Sequence, residues 1–206
     1  SITVTKAADT NYNVTTDNVT VIFAKVNPAA ITLSAAPATI AYTTAANKNQ
    51  TWVTVAGGTY STGSFTFYVD PMTEEYCSIA TVQPTRILVN GNLAGLCLIT
   101  VVQAADVNYN EQRAFLGFQI TKMVQTINAT SSNGTSPTYK VAPDFITTIN
   151  VTGQAGTGIT RFVVDSVNST SNCSVDQATG NVTSTTIGTC KITVSRDGDD
   201  NVAASN

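Results

Sequence analysis

Apolar and polar residues alternate in short runs along the whole chain. Ile2 and Val4 alternate with Thr3 and Thr5, and the same beat returns at Ile99 and Val101 and at Ile192 and Val194. A period of two is the signature of a strand with one buried face. Further strand candidates are VTVIFAKV at 19–26, AITLSA at 30–35, TWVTVAG at 51–57, FTFYVD at 65–70 and RILVN at 86–90. They continue with AFLGFQITK at 114–122, TTINVTG at 147–153, RFVVD at 161–165 and NVTST at 181–185. Gly57-Gly58, Asn90-Gly91, Asn133-Gly134 and Gly180-Asn181 punctuate them as turns. No stretch has the 3.6-residue period of an amphipathic helix. The pattern predicts an all-β protein, with Trp52 as the core anchor of its first half.

The runs repeat at long range. SITVTKAADTNYN at 1–13 reads against CLITVVQAADVNYN at 97–110 and CKITVSRDGDDNVA at 190–203. Asp9, Asp106 and Asp199 are 97 and 93 residues apart, the length of one small β-sandwich domain. Breaks fall near Val26-Asn27-Pro28 and Lys122-Met123-Val124, with Lys25 and Lys122 at equivalent places. The expected organisation is 1–26 as terminal strands, 27–123 as a first sandwich and 124–206 as a second.

The four cysteines keep the same phase. Cys77 and Cys97 belong to one period, Cys173 and Cys190 to the next, and each second cysteine opens the repeated ITV strand. A metal knuckle would need Cys-x-x-Cys spacing or histidine partners, and the sequence has neither. Disulfides Cys77–Cys97 and Cys173–Cys190 are therefore expected, in an oxidising and hence extracellular or cell-surface setting.

Composition narrows the function. Charged residues make up 11% of the chain against a usual quarter, and the net charge of −3 leaves no basic footprint for nucleic acid. No apolar run is long enough for a helical membrane span. Without any histidine or spare cysteine, no nucleophile–base pair can be assembled, so no catalytic residues, cofactor or metal ligands are assigned and an enzyme is not expected. The Asp-x-Asn pairs Asp9/Asn11, Asp106/Asn108 and Asp199/Asn201 offer too few oxygens for calcium and read as Asx turns.

The second period ends on Gly188, Thr189, Cys190, Ile192 and Thr193, and the first carries Gly95, Cys97, Ile99, Thr100, Asp106, Asn108 and Tyr109. This pattern resembles the bacterial Ig-like repeats, often labelled MBG-like, of large secreted and surface proteins. The chain departs from it at Val202, where Tyr is expected, and at Leu96, where Thr is usual. The resemblance implies tandem Ig-like β-sandwich domains with one intradomain disulfide each. It also implies a structural module of an extracellular filament, stalk or giant adhesin. An alternative is a surface module that binds glycan or protein with its sandwich loops, for which Tyr60 and Tyr76 are the aromatic candidates.

In this register, 1–26 carries the last two strands of a preceding domain, and 124–206 lacks the counterpart of 114–122. One reading is a segment of a longer array, which the surplus strand favours. The other is a donor segment, with Val19, Val21 and Phe23 completing the open sandwich of a neighbouring copy by donor-strand complementation. The expected partners are neighbouring copies or adjacent Ig-like domains, with host or cell-surface glycans as a second class. Asn-x-Ser/Thr sequons at Asn13, Asn18, Asn49, Asn128, Asn133, Asn150, Asn168, Asn172 and Asn181 are glycosylation candidates, with Asn128, Asn133, Asn168 and Asn181 expected on turns.

Overall fold

The structure, a computed structural model, describes residues 1–45, 49–136, 138 and 146–206. Residues 139–145, part of the second period, lie outside them. The described chain is all-β and carries two disulfides.

It begins with an antiparallel pair, β1 (Ile2–Lys6) and β2 (Thr15–Val19), whose residues are all exposed. Then come β3 (Ile31–Ala36), β4 (Thr39–Ala41), β5 (Gln50–Gly57), β6 (Phe65–Val69) and β7 (Cys77–Gln83). These are followed by β8 (Arg86–Gly91), β9 (Gly95–Gln103) and β10 (Gln112–Thr121). The last group is β11 (Asn128–Ser131), β12 (Thr147–Thr152), β13 (Thr160–Val164), β14 (Cys173–Val175), β15 (Asn181–Ser184) and β16 (Ile192–Arg196).

The middle group makes two four-stranded sheets, in the orders β3-β5-β8-β7 and β4-β10-β9-β6. Alternation turns Val53, Ile87 and Val89 of one sheet toward Cys97, Ile99, Val101, Phe118 and Ile120 of the other. These side chains form one buried core, crossed by the Cys77–Cys97 bridge between β7 and β9. The last group repeats the plan with fewer strands. A sheet β11-β12-β15-β14 lies against the pair β13-β16, with Phe162, Val182 and Val194 buried and Cys173 joined to Cys190.

Gly57 (φ +86°) ends β5, and Gly153 (φ +80°) directly follows the equivalent strand β12. A Cβ there would stand 2.1 Å from the Ala30 carbonyl oxygen and 2.2 Å from that of Thr126. Both the left-handed backbone and the close approach exclude a side chain.

Four expectations need correction. Trp52 is half-buried and does not anchor the core: Thr51, Val53 and Val55 point inward, so Trp52 faces out, where Arg86 stacks over its ring at 4.4 Å. The strand expected at 19–26 is found at Thr15–Val19, because β1 supplies partners only as far as Val19. Asn90-Gly91 is the end of β8 and not a turn: Gly91 is packed under Ile40 and Ile120. Asn128 and Asn181 open strands β11 and β15 and do not sit on turns.

Candidate assembly site

The two periods align rung by rung. Phe67 pairs with Val101 and Val69 with Ile99, as Phe162 pairs with Val194 and Val164 with Ile192. Thus β16 is the counterpart of β9. In the first unit β9 has a neighbour on each side, β6 and β10. In the second, β16 pairs with β13 on one side. On the other side, among the described residues, only Ser205 bridges Arg196, at the place where Gln112 pairs with Gln103. The edge running from Val194 back to Gly188 has no strand partner among the described residues.

Beside that edge lies a groove of about 630 Å³ lined by Thr147, Ile149, Val182, Ile187, Cys190 and Ile192. In the first unit the corresponding space is filled by β10, which buries Phe118 and Ile120. The consequence is visible in the disulfides. Cys77 and Cys97 are buried, whereas Cys173 and Cys190 stay partly exposed.

The N-terminal pair is the counterpart of β9 and β10. Lys6 opposite Thr15 and Ile2 opposite Val19 reproduce Gln103 opposite Gln112 and Ile99 opposite Leu116. The donor candidates therefore correspond to inward positions of β10: Val19 to Leu116, Val21 to Phe118 and Phe23 to Ile120. All three are uncovered, at 57%, 48% and 93% exposure. Three large apolar side chains at alternating positions are thus left in water.

The three Asp-x-Asn segments are Asx turns. Asp9 accepts the N–H groups of Asn11 and Tyr12, Asp106 those of Asn108 and Tyr109, and Asp199 those of Asn201 and Val202. The second carboxylate oxygen of Asp106 accepts the Thr62 N–H at 2.7 Å, and that of Asp199 accepts the Thr157 N–H at 2.7 Å. The Thr62 N–H, followed by those of Asn108 and Tyr109, holds the Asp106 carboxyl well below the usual carboxylate range. The same device, led by the Thr157 N–H, pushes Asp199 down to about 2. The Asp199 turn also meets the first unit. Lys122 Nζ donates to the Asp199 carbonyl, and the Ala94 N–H donates to Asn201 Oδ1 at 2.7 Å.

The sequon asparagines differ in availability. Asn13, Asn18, Asn128 and Asn150 are exposed, and Asn13, Asn128 and Asn150 make no side-chain hydrogen bond among the described residues. Asn133, Asn168 and Asn172 donate their amides to Ile146, Asp165 and Thr185. Asn181 accepts the Thr148 hydroxyl, and Asn49 donates to the Gly91 carbonyl, while its sequon residue Thr51 is buried. Of the loop aromatics, Tyr76 packs over Gly95, whereas Tyr60 is exposed at φ 77°.

Among the described residues, no group of three or more His, Cys, Asp or Glu could share a metal ion, and no helix is long and apolar enough to cross a membrane. Comparison of the chain with family models, curated proteins and solved structures finds no match.

Proposed function

We propose that the chain is a structural module of an extracellular filament, built from tandem Ig-like sandwiches with one disulfide each, in which the second sandwich is completed by a strand from another copy. The observation that carries this reading is an unfinished edge in the second unit matched by a β10-like segment whose apolar side chains are uncovered. Among the described residues, the β16 edge lacks the neighbour that β9 has in β10. The counterpart of β10 stands exposed at the far end of the same chain. Transferring the β9–β10 register sets Ile192 opposite Val19, Cys190 opposite Val21 and Gly188 opposite Phe23 of the second copy. Burying those three side chains is worth about 1.5–3 kcal/mol each before ordering costs. The added strand also satisfies an open ladder edge that would otherwise recruit strands indiscriminately.

A donor on one copy meeting an acceptor on another is a head-to-tail contact, which generates an open fibre where its rotation does not close. The two disulfides suit such a fibre in an oxidising, extracellular setting. The test is Phe23→Asp combined with Val21→Asp. Both positions are exposed in the single chain, so the folded units should survive, and the variant should remain monomeric by light scattering while the unaltered chain forms filaments in negative stain. Equal polymerisation of the two proteins would refute the proposal.

Tyr60 favours a second reading. An exposed aromatic held at φ 77° is a strained position suited to a loop that binds glycan or protein. Glycan-array binding lost in Tyr60→Ala, with assembly intact, would support it.

A further inference from the structure

We infer that β1 is a stand-in for β16: it holds the donor strand β2 of its own chain in the register that β16 of another copy would take, and must be displaced before copies join. The inference rests on the strand-completion reading above.

The first observation is in the sequence. β1 reads Ile2-Thr3-Val4-Thr5-Lys6, and β16 reads Ile192-Thr193-Val194-Ser195-Arg196. Three positions are identical, and the other two exchange Thr for Ser and Lys for Arg. The inward-facing pair Ile and Val and the terminal cation are all reproduced.

The second observation is geometric. β1 lies on β2 with Lys6 opposite Thr15 and Ile2 opposite Val19, the register of β9 on β10. It therefore occupies the edge of β2 that corresponds to the β9-facing edge of β10. One edge presents a single row of N–H and C=O groups, so β1 and the β16 of a second copy cannot both pair with it. Insertion of the hairpin as an intact unit would leave β16 facing the wrong edge.

The third observation concerns what holds β1 down. Every residue of β1 and β2 is exposed, and the named side-chain contacts are the Thr3–Asn18 hydrogen bond and Lys6 over the Tyr12 ring. An isolated two-stranded hairpin is marginal in water. Exchange swaps one five-rung ladder for a like one and adds the burial of Val19, Val21 and Phe23. The balance then favours assembly, while the need to unpair β1 slows it. β1 also shields the donor edge of free copies from stray strands.

The test uses the full-length chain and two opposed variants. Thr5→Cys with Thr16→Cys places thiols at facing, exposed positions of the hairpin. When oxidised, this double variant should lose filament formation, while each single variant with its thiol capped should assemble like the unaltered chain. Thr3→Pro with Val4→Pro removes ladder donors from β1 and should shorten the assembly half-time about tenfold or more, followed by light scattering. If the oxidised double variant assembles at the unaltered rate, β1 is not displaced and the inference falls while strand completion stands. If neither the unaltered chain nor the proline variant assembles at any concentration, strand completion itself falls and takes the inference with it.

Discussion

Asp199 Oδ2 accepts the Thr157 N–H at 2.7 Å while its other oxygen closes the turn onto Asn201 and Val202, as Asp106 does with Thr62, Asn108 and Tyr109. One carboxylate thus fastens the turn after β16 to the loop before β13. Ionisation is part of that fastening, because each N–H donates to the charged form. The Thr157 N–H, with those of Asn201 and Val202, pushes Asp199 down to about 2, against about 3.9 for an unfolded aspartate. A depressed folded value contributes stability that is complete above the unfolded value and is lost as pH falls through the folded one. Thermal unfolding midpoints should therefore drop as pH falls from 4 toward 2. Asp199→Asn should flatten that drop for the second unit, and Asp106→Asn should do so for the first. Identical acid slopes in the variants and the unaltered chain would show that the clamps do not couple to folding.

The two disulfides should part under reduction. Cys77 and Cys97 are sealed in the first core, whereas Cys173 and Cys190 are partly exposed and Cys190 lines the groove. Thiol–disulfide exchange needs access for the attacking thiolate. Mild reductant followed by alkylation should label Cys173 and Cys190 well before Cys77 and Cys97. Assembled filaments should lose that difference, since Val21 of the next copy would cover Cys190. Removing the inner bridge, with Cys77→Ala and Cys97→Ala, should cost about 3 kcal/mol for a loop of this length, read by denaturant unfolding.

Glycan attachment needs a free amide nitrogen and room around it. Asn13, Asn128 and Asn150 meet both conditions. Asn49 meets neither, with its amide on the Gly91 carbonyl and Thr51 buried. Glycopeptide mapping of the chain from its native cells should find the first three occupied and Asn49 bare. An intact mass equal to the unmodified 21.5 kDa chain would remove this expectation.

Much of this was legible because the repeat carries its own key. The ITV runs show which residues share a face, and the cysteines and aspartates keep phase with them. The structure accordingly places Cys97, Ile99 and Val101 on one buried row and a turn at each aspartate. Less was legible where geometry breaks the beat. β7 carries a register shift between Ile79 and Thr81, so its sequence does not alternate cleanly. β4 has three residues and pairs in parallel with β10, a contact that no local pattern encodes. Trp52 misled because large aromatics usually face inward, whereas here its ring supports Arg86 on the outer face. That β1 pairs with β2 in this register is a matter that alternation alone does not determine.

Register is the sharpest point at which strand completion can fail. In the first unit Thr100 faces Phe115 across β9 and β10, with both side chains pointing away from the core. The counterparts are Thr193 on β16 and Asn18 on the donor of a second copy. Thr193→Cys combined with Asn18→Cys should therefore yield, on oxidation, a ladder of covalently joined copies on a non-reducing gel. Facing residues of an antiparallel pair lie about 4.5–5.5 Å apart at Cα, within reach of a disulfide. A slip of one residue would turn every donor side chain to the other face. Thr193→Cys with Val19→Cys should then remain uncoupled, because the second thiol would point into the groove. The single variants control for the lost sequon at Asn18 and for exchange with the native bridges. A ladder from the slipped pair, equal to or stronger than that from the in-register pair, would rule out the β10-like placement of the donor even if filaments form.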